Sequence, residues 1–157
     1  MIQPTLALSL PVTVTAIDIM GILPHRAPFL MIREAVVDPE TRSGVAKITV
    51  PSALLWNDFP GTSGRAKGQE LLRECLLEAV AQSAGVVQTI LSDDSTEDSP
   101  KNLLASFRSV EFHSNGSAKK SFDVEIRSVL SMGSLARLSF AISQDGVSVG
   151  RGEVTVA

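Results

Sequence analysis

The longest regular pattern in the chain lies in GQELLRECLLEAVAQSAGVVQTIL, Gly68 to Leu91. Leu71, Leu72, Cys75, Leu76, Ala79, Val80, Ser83, Val86, Val87 and Ile90 recur there at helical spacing, which predicts a helix from near Lys67 or Gly68 to about Leu91. These positions cover more than one face, so the middle of the helix is expected to be largely buried. Downstream, LLASFRSVEFH, SFDVEIRSVL, LARLSFAISQ and VSVGRGEVTV alternate between apolar and polar residues, the signature of half-buried antiparallel strands. Asp145-Gly146 between the last two signals a hairpin, since glycine accepts the positive φ such turns need. Ser131 to Ser134, around Gly133, makes the turn before it. Upstream, FLMIREAVVD and SGVAKITV read as two further strands, and the hydrophilic run SDDSTEDSPKN, Ser92 to Asn102, as a solvated loop after the helix. Strand, strand, long helix, then three or four strands is an α+β layer architecture. An open sheet of this kind leaves an edge and an apolar face uncovered in a monomer, which predicts at least a dimer with the sheet continuous across the interface.

Composition narrows the function classes. At 157 residues the chain, 1–157, has the size of one domain and can bury a core without staples. A net charge of −3, with Lys and Arg scattered, gives no electrostatic footprint for nucleic acid. Cys75 is the single cysteine, which excludes an internal disulfide; among leucines on the predicted helix it reads as a buried, inert thiol. With only His25 and His113 beside it, a zinc site is poorly supplied, no spacing of acids suggests another metal, and no cofactor is expected. His113 follows a strand and reads as surface. The N-terminal MIQPTLALSLPVTVTA has no basic residue before its apolar run and is interrupted by Pro4 and Pro11, so it is not read as a signal peptide. No apolar run approaches the roughly 18–20 residues needed to span a bilayer. The expectation is a cytoplasmic protein.

Three segments carry chemistry: DIMGILPHRAPFLMIREAVV (Asp18 to Val37), NDFPG (Asn57 to Gly61) and EAVAQSAGVV (Glu78 to Val87). The first resembles the I-x-x-x-LPHR-x-PFL opening of the FabZ-type (3R)-hydroxyacyl-acyl carrier protein dehydratases. The second is similar to that family's GHFPG, and the third to its EAMAQ-x-AG helix. They occur in the family's order, and the resemblance covers the chain from about Asp18 onward. It implies a hotdog fold, an antiparallel sheet wrapped around one central helix. It also implies a homodimer with its active sites at the subunit interface, often a trimer of dimers. The substrate would be an acyl chain carried as a thioester on acyl carrier protein (or CoA), lying in an apolar tunnel and losing water reversibly from a 3-hydroxyacyl to a trans-2-enoyl group. That chemistry needs a base for the α-proton, an acid for the leaving hydroxyl and donors for the thioester carbonyl.

The resemblance carries the catalytic Glu onto Glu78 and its helical partner onto Gln82, one turn apart on one face. Flanked by Leu76-Leu77 and Ala79-Val80-Ala81, the Glu78 carboxyl is expected to be desolvated and its pKa raised, as suits a general acid. The family's His falls on Asp58. Two readings of Asp58 stand: a carboxylate base coupled to Glu78, or a loop residue capping backbone N–H groups. His25, Phe29, Phe59 and Gly61 fall along the implied substrate path; read from the residues alone, His25 is bonded to backbone and holds its loop. Sixteen residues, Thr62 to Leu77, separate FPG from Glu78, where the family has about ten with the pattern PVMPG. Gly68 is the candidate helix opening, with N–H donors for the carbonyl, yet this sets Glu78 nearly three turns in, so either the helix starts later or the site is altered. Glu70 and Glu74 extend the Glu78 face and read as solvated. The leading function is a divergent dehydratase; a hotdog thioesterase using Asp58 or Glu78, and a non-catalytic acyl-binding subunit, are its rivals.

Overall fold

The structure is a computed structural model that describes residues 10–52, 55, 64–92 and 105–157. In chain order its elements are β1 (Val12–Thr15), α1 (Ala16–Ile22), β2 (Ile32–Asp38), β3 (Ser43–Ile48), α2 (Gly64–Leu91), β4 (Ala105–Phe112), β5 (Phe122–Met132), β6 (Leu135–Gln144) and β7 (Val147–Val156). The strands form one seven-stranded sheet in the order β1-β2-β3-β5-β6-β7-β4. Every neighbouring pair is antiparallel.

The alternation read in the later strands is the pleat itself. Phe122, Val124 and Ile126 on β5 and Ala136, Leu138, Phe140 and Ile142 on β6 point to one face and are buried, with the residues between them turned outward. That face curls round α2, which touches β2, β3, β5, β6 and β7. From Ala79 to Val87 every residue of the helix is buried, as its lack of a polar side implied. Ala79, Ala81, Ser83, Ala84 and Gly85 keep this stretch thin enough for strands to close on several sides. Gly44 on β3 marks the closest approach: a Cβ there would lie 2.7 Å from Val87 Cγ2.

The turns follow their sequence signals. Asp145 (φ 51°) and Gly146 (φ 76°) both take positive φ, the type I′ pattern that suits the twist of β6 and β7. Gly133 (φ 58°) turns the chain from β5 to β6 where Met132 pairs with Leu135.

Two elements lie outside the periodicity reading, β1 and α1, because four and seven residues are too short to build a period. Their local signal is a capping box: the Thr15 side chain accepts from the Asp18 N–H, and the Asp18 carboxylate accepts from the Thr15 N–H at 2.9 Å. These Thr15 hydrogen bonds, that from its backbone first, hold the Asp18 carboxyl below its ordinary pKa.

The start of α2 corrects a second expectation. The helix opens at Gly64, not near Lys67 or Gly68. Arg65, Ala66 and Lys67 are good helix formers, and one interior glycine costs only about 1 kcal/mol relative to alanine. Gly68 is therefore inside the helix, and Glu78 lies about 21 Å along the axis from its first residue at 1.5 Å per residue.

Candidate active site

The segment between α1 and β2, Leu23 to Met31, is tied at several points. Leu23, Leu30 and Met31 are buried and anchor its ends. Between them Arg26 folds back, its guanidinium donating to the carbonyls of Leu23 at 3.0 Å and His25 at 2.7 Å. Its own carbonyl accepts the N–H groups of Phe29 and Leu30, and the Ala27–Pro28 peptide is cis.

Gln82 ties this segment to α2. It is fully buried, and main-chain groups fix which way its amide faces. Its Oε1 accepts the Met31 N–H at 3.1 Å, so Nε2 must face the other way, where it donates to the Phe29 carbonyl at 2.8 Å and to Glu78 Oε1 at 3.0 Å. Both amide hydrogens are thereby used. His25 Nε2 reaches the same carboxylate oxygen, 3.1 Å from Glu78 Oε1. His25 Nδ1 is buried and has no partner among the described residues. Glu78 Oε1 is thus met from two sides, and Oε2 has no hydrogen bond among the described residues.

The carboxylate opens on a cleft of about 360 Å³ lined by His25, Glu74, Leu77, Glu78, Ala81, Ala105 and Phe107. One wall is α2 and the other is the edge strand β4, where Phe107 meets Phe140 edge-on with centroids 6.1 Å apart. A half-apolar cleft with a held carboxylate beside an imidazole can take an acyl group and exchange a proton with it. Among the described residues no group of three or more His, Cys, Asp or Glu could hold a metal ion, and no helix is long and apolar enough to cross a membrane.

The residues expected at the site fare differently. Glu78 and Gln82 stand together, as their spacing required. Glu78 is not desolvated, however: its side chain is 48% exposed, because its apolar sequence neighbours Leu76, Ala79 and Val80 point into the core on other sides of the helix. Gln82 was expected at the substrate, yet it is sealed from the cleft with its amide spent on the loop and on Glu78.

His25 is not the backbone-bonded loop residue its surroundings implied; Arg26 does that work, and His25 faces Glu78. Phe29 gives its carbonyl to Gln82 and is 60% exposed. Gly68 is in the second turn of α2, with its N–H facing along the helix rather than toward a ligand. Asp58, Phe59 and Gly61, with Asn57, lie outside the described residues. Glu74, read as solvated, is exposed but lines the cleft; Glu70 and His113 are exposed as read. Cys75 is half-buried, and burial first, then the charges of Glu74 and Glu78, push its thiol pKa up, so it is an inert thiol.

One antiparallel sheet curled round a single long helix, with the helix presenting a carboxylate beside the edge strand, defines a hotdog-fold protein. Two solved structures share that fold over most of this chain. The dehydratase heterocomplex ApeI:P from Xenorhabdus doucetiae superposes with a TM-score of 0.64 at 18% identity, covering 88% of each chain. The dehydratase domain of a mycocerosic acid synthase-like PKS superposes with a TM-score of 0.65 at 18% identity, covering 93% of this chain and 49% of that one. In sequence, the chain is similar to the 3-hydroxyacyl-[acyl-carrier-protein] dehydratase FabZ of Geotalea uraniireducens (strain Rf4), 33% identical over 90 residues. That match spans 56% of this chain and 58% of the relative. No family model matches the chain. The chain is thus similar to a curated dehydratase over less than two thirds of that protein's length.

Proposed function

We propose that the protein interconverts 3-hydroxyacyl and trans-2-enoyl thioesters, carried on acyl carrier protein or CoA, as a divergent hotdog dehydratase. The observation that carries this reading is the Glu78 carboxylate, which lines the cleft, is met at Oε1 by Gln82 and His25 and has no hydrogen bond at Oε2 among the described residues. In dehydration the α-carbon loses a proton to a base, the C3–O bond breaks, and the hydroxyl leaves as water with a proton from an acid. Glu78 is the proposed acid. Asp58, on its sequence position alone, is the proposed base.

The helix N-terminus does not serve Glu78 as carbonyl donor here, because almost four turns separate them. The similarity to FabZ supports the substrate class, and the absence of PVMPG with the longer approach to Glu78 supports the divergence. The working unit is proposed to be a homodimer in the cytoplasm.

Incubating the purified protein with a trans-2-enoyl thioester tests the reading. Loss of the enoyl absorbance with formation of the 3-hydroxyacyl product is the expected result. Release of free thiol without hydration would make it a thioesterase. Neither reaction, with acyl-carrier binding intact, would make it a non-catalytic subunit.

A further inference from the structure

We infer that Glu74 determines which acyl groups the cleft accepts: its carboxylate turns away an acyl chain that itself carries a carboxylate, so the site takes chains without negative charge. The inference deepens the proposed function and rests on the cleft being the acyl site. It starts from the helix. Glu70, Glu74 and Glu78 stand at successive turns of α2, and all three are exposed. Like charges at that spacing weaken a helix slightly, whereas a lysine in the middle would pair with both neighbours. α2 carries the acid there all the same, and Glu74 shares the lining of the cleft with Glu78. Along this helical wall exposure falls from Glu74 through Leu77 to Ala81, which is 5% exposed, so Glu74 marks the wet end of the cleft and Ala81 the dry one.

The other lining groups do not reverse this charge. Among the described residues His25 is the lining side chain that can become a cation, and it lies 3.1 Å from Glu78 Oε1. No protonation state of that pair makes the lining positive. An imidazolium beside an ionised Glu78 offsets that carboxylate, a neutral pair adds nothing, and an imidazolium beside a neutral Glu78 at most cancels Glu74. The basic residues nearest in sequence are turned elsewhere. Arg73 donates to Asn115 Oδ1 at 3.2 Å and lies over the Phe112 ring, and Arg26 donates to the Leu23 and His25 carbonyls. Arg108 follows Phe107 on β4 and so faces the other side of the strand. Glu74 itself makes no ion pair among the described residues. The cleft is only about 360 Å³. A carboxylate on an acyl chain held in it lies within the roughly 8–10 Å over which charges act at ordinary salt. Like charges a few ångströms apart at a half-open surface repel enough for about a five- to tenfold loss in affinity.

A pair of substrates matched in shape tests this. Two trans-2-enoyl thioesters on the same carrier are compared, one ending in a carboxylate a few carbons beyond the double bond, the other in a carboxamide, its neutral isostere. The wild type is expected to favour the carboxamide by about five- to tenfold in kcat/KM, and Glu74→Gln to bring that ratio down toward one. Because the readout is a ratio within one variant, a general loss of activity or of folded protein does not move it. Raising the salt from about 0.05 M to about 0.5 M is expected to shrink the wild-type ratio and to leave that of Glu74→Gln in place. A wild-type ratio near one, or a ratio that survives in Glu74→Gln, overturns the inference.

Glu70→Gln removes an equal charge from the same helix at a residue that does not line the cleft. It is expected to keep most of the wild-type ratio; an equal fall in both variants would trace the effect to overall charge and overturn the role of Glu74. Calorimetric binding of the corresponding saturated acyl thioesters, which cannot be hydrated, separates this inference from the dehydratase reading. A Glu74-dependent preference for the bound carboxamide, without turnover of either enoyl thioester, defeats that reading and supports the inference. Binding of neither saturated thioester defeats both.

Discussion

Asp58 stands in NDFPG where the resembling family has its imidazole, and its role can be tested by two substitutions of opposite character. Asp58→Asn keeps the size of the side chain and much of its capping capacity but cannot take a proton. It is expected to cost about 10²–10⁴ in turnover, the usual worth of a general base. Asp58→His is expected to keep or raise turnover, because imidazole titrates nearer neutral pH. An Asn variant turning over like the wild type would assign Asp58 to loop capping. Gln82 gives a test in stability. Gln82→Leu strands the buried Met31 N–H, at about 1–3 kcal/mol, and removes a part-buried bond to the Phe29 carbonyl that water can replace. Urea denaturation is expected to show a loss of about 1–3 kcal/mol, against less than about 0.5 kcal/mol for Glu78→Gln on the half-exposed side of the helix. Equal losses would mean that the Gln82 bridge contributes nothing special. The sequence made Glu78 and Gln82 legible because one helical turn joins them whatever the tertiary fold. It did not reveal the meeting of His25 with Glu78. That contact depends on how Arg26 and Gln82 fold the Leu23–Met31 segment back onto α2, and no local periodicity encodes it.

Among the elements, legibility tracked length and regularity. The strands β4 to β7 run for eight residues or more, long enough for alternation to show along much of β6, the first half of β5 and parts of β4 and β7, and the hairpin between β6 and β7 announces itself in Asp145-Gly146, so both could be read directly. β1 and α1 are too short for a period; only the Thr15-to-Asp18 capping pair marks them. The start of α2 was hidden by Gly64 and Gly68, which punctuate like a loop although the residues between them favour helix. What the pattern could not show is how tightly the sheet closes on the helix, and Gly44 is the place to measure it. In Gly44→Ala the new methyl would stand 2.7 Å from Val87 Cγ2 and 3.2 Å from the Val36 carbonyl oxygen. Valine is stiff at χ1 in a helix, so the strand must move, at about 1–3 kcal/mol. Val87→Ala opens room for the methyl. The double variant is therefore expected to be more stable than the sum of the two single losses, with a coupling of about 0.5–3 kcal/mol. Strict additivity would show that β3 and α2 are not in tight contact at Gly44.

At the scale of the whole molecule the sheet is finished at one side and not at the other. Among the described residues the edge strand β1 has four residues, whereas β4, at the opposite edge, offers eight and pairs with β7 alone. The inward residues of β5 and β6 are buried, yet Ala105, Phe107, Val110 and Phe112 on β4 are only partly covered, and two of them line the cleft at Glu78. A long edge with a half-covered apolar face is a place where a second strand adds backbone hydrogen bonds and removes apolar surface from water together. A second copy of the chain joined at β4 would extend the sheet across a twofold axis and bring its own surface to the mouth of the cleft. Light scattering after size exclusion at micromolar concentration is expected to give at least twice the 16.7 kDa mass of the chain. Replacing Phe107 with Asp would put a charge on that face. It is expected to shift the protein toward monomer and to lower turnover by more than the loss of Phe107 packing on Phe140 alone, because the cleft would lose its second wall. A wild-type monomer at that concentration would remove the shared edge from the account and leave the cleft to function, if it does, within a single chain.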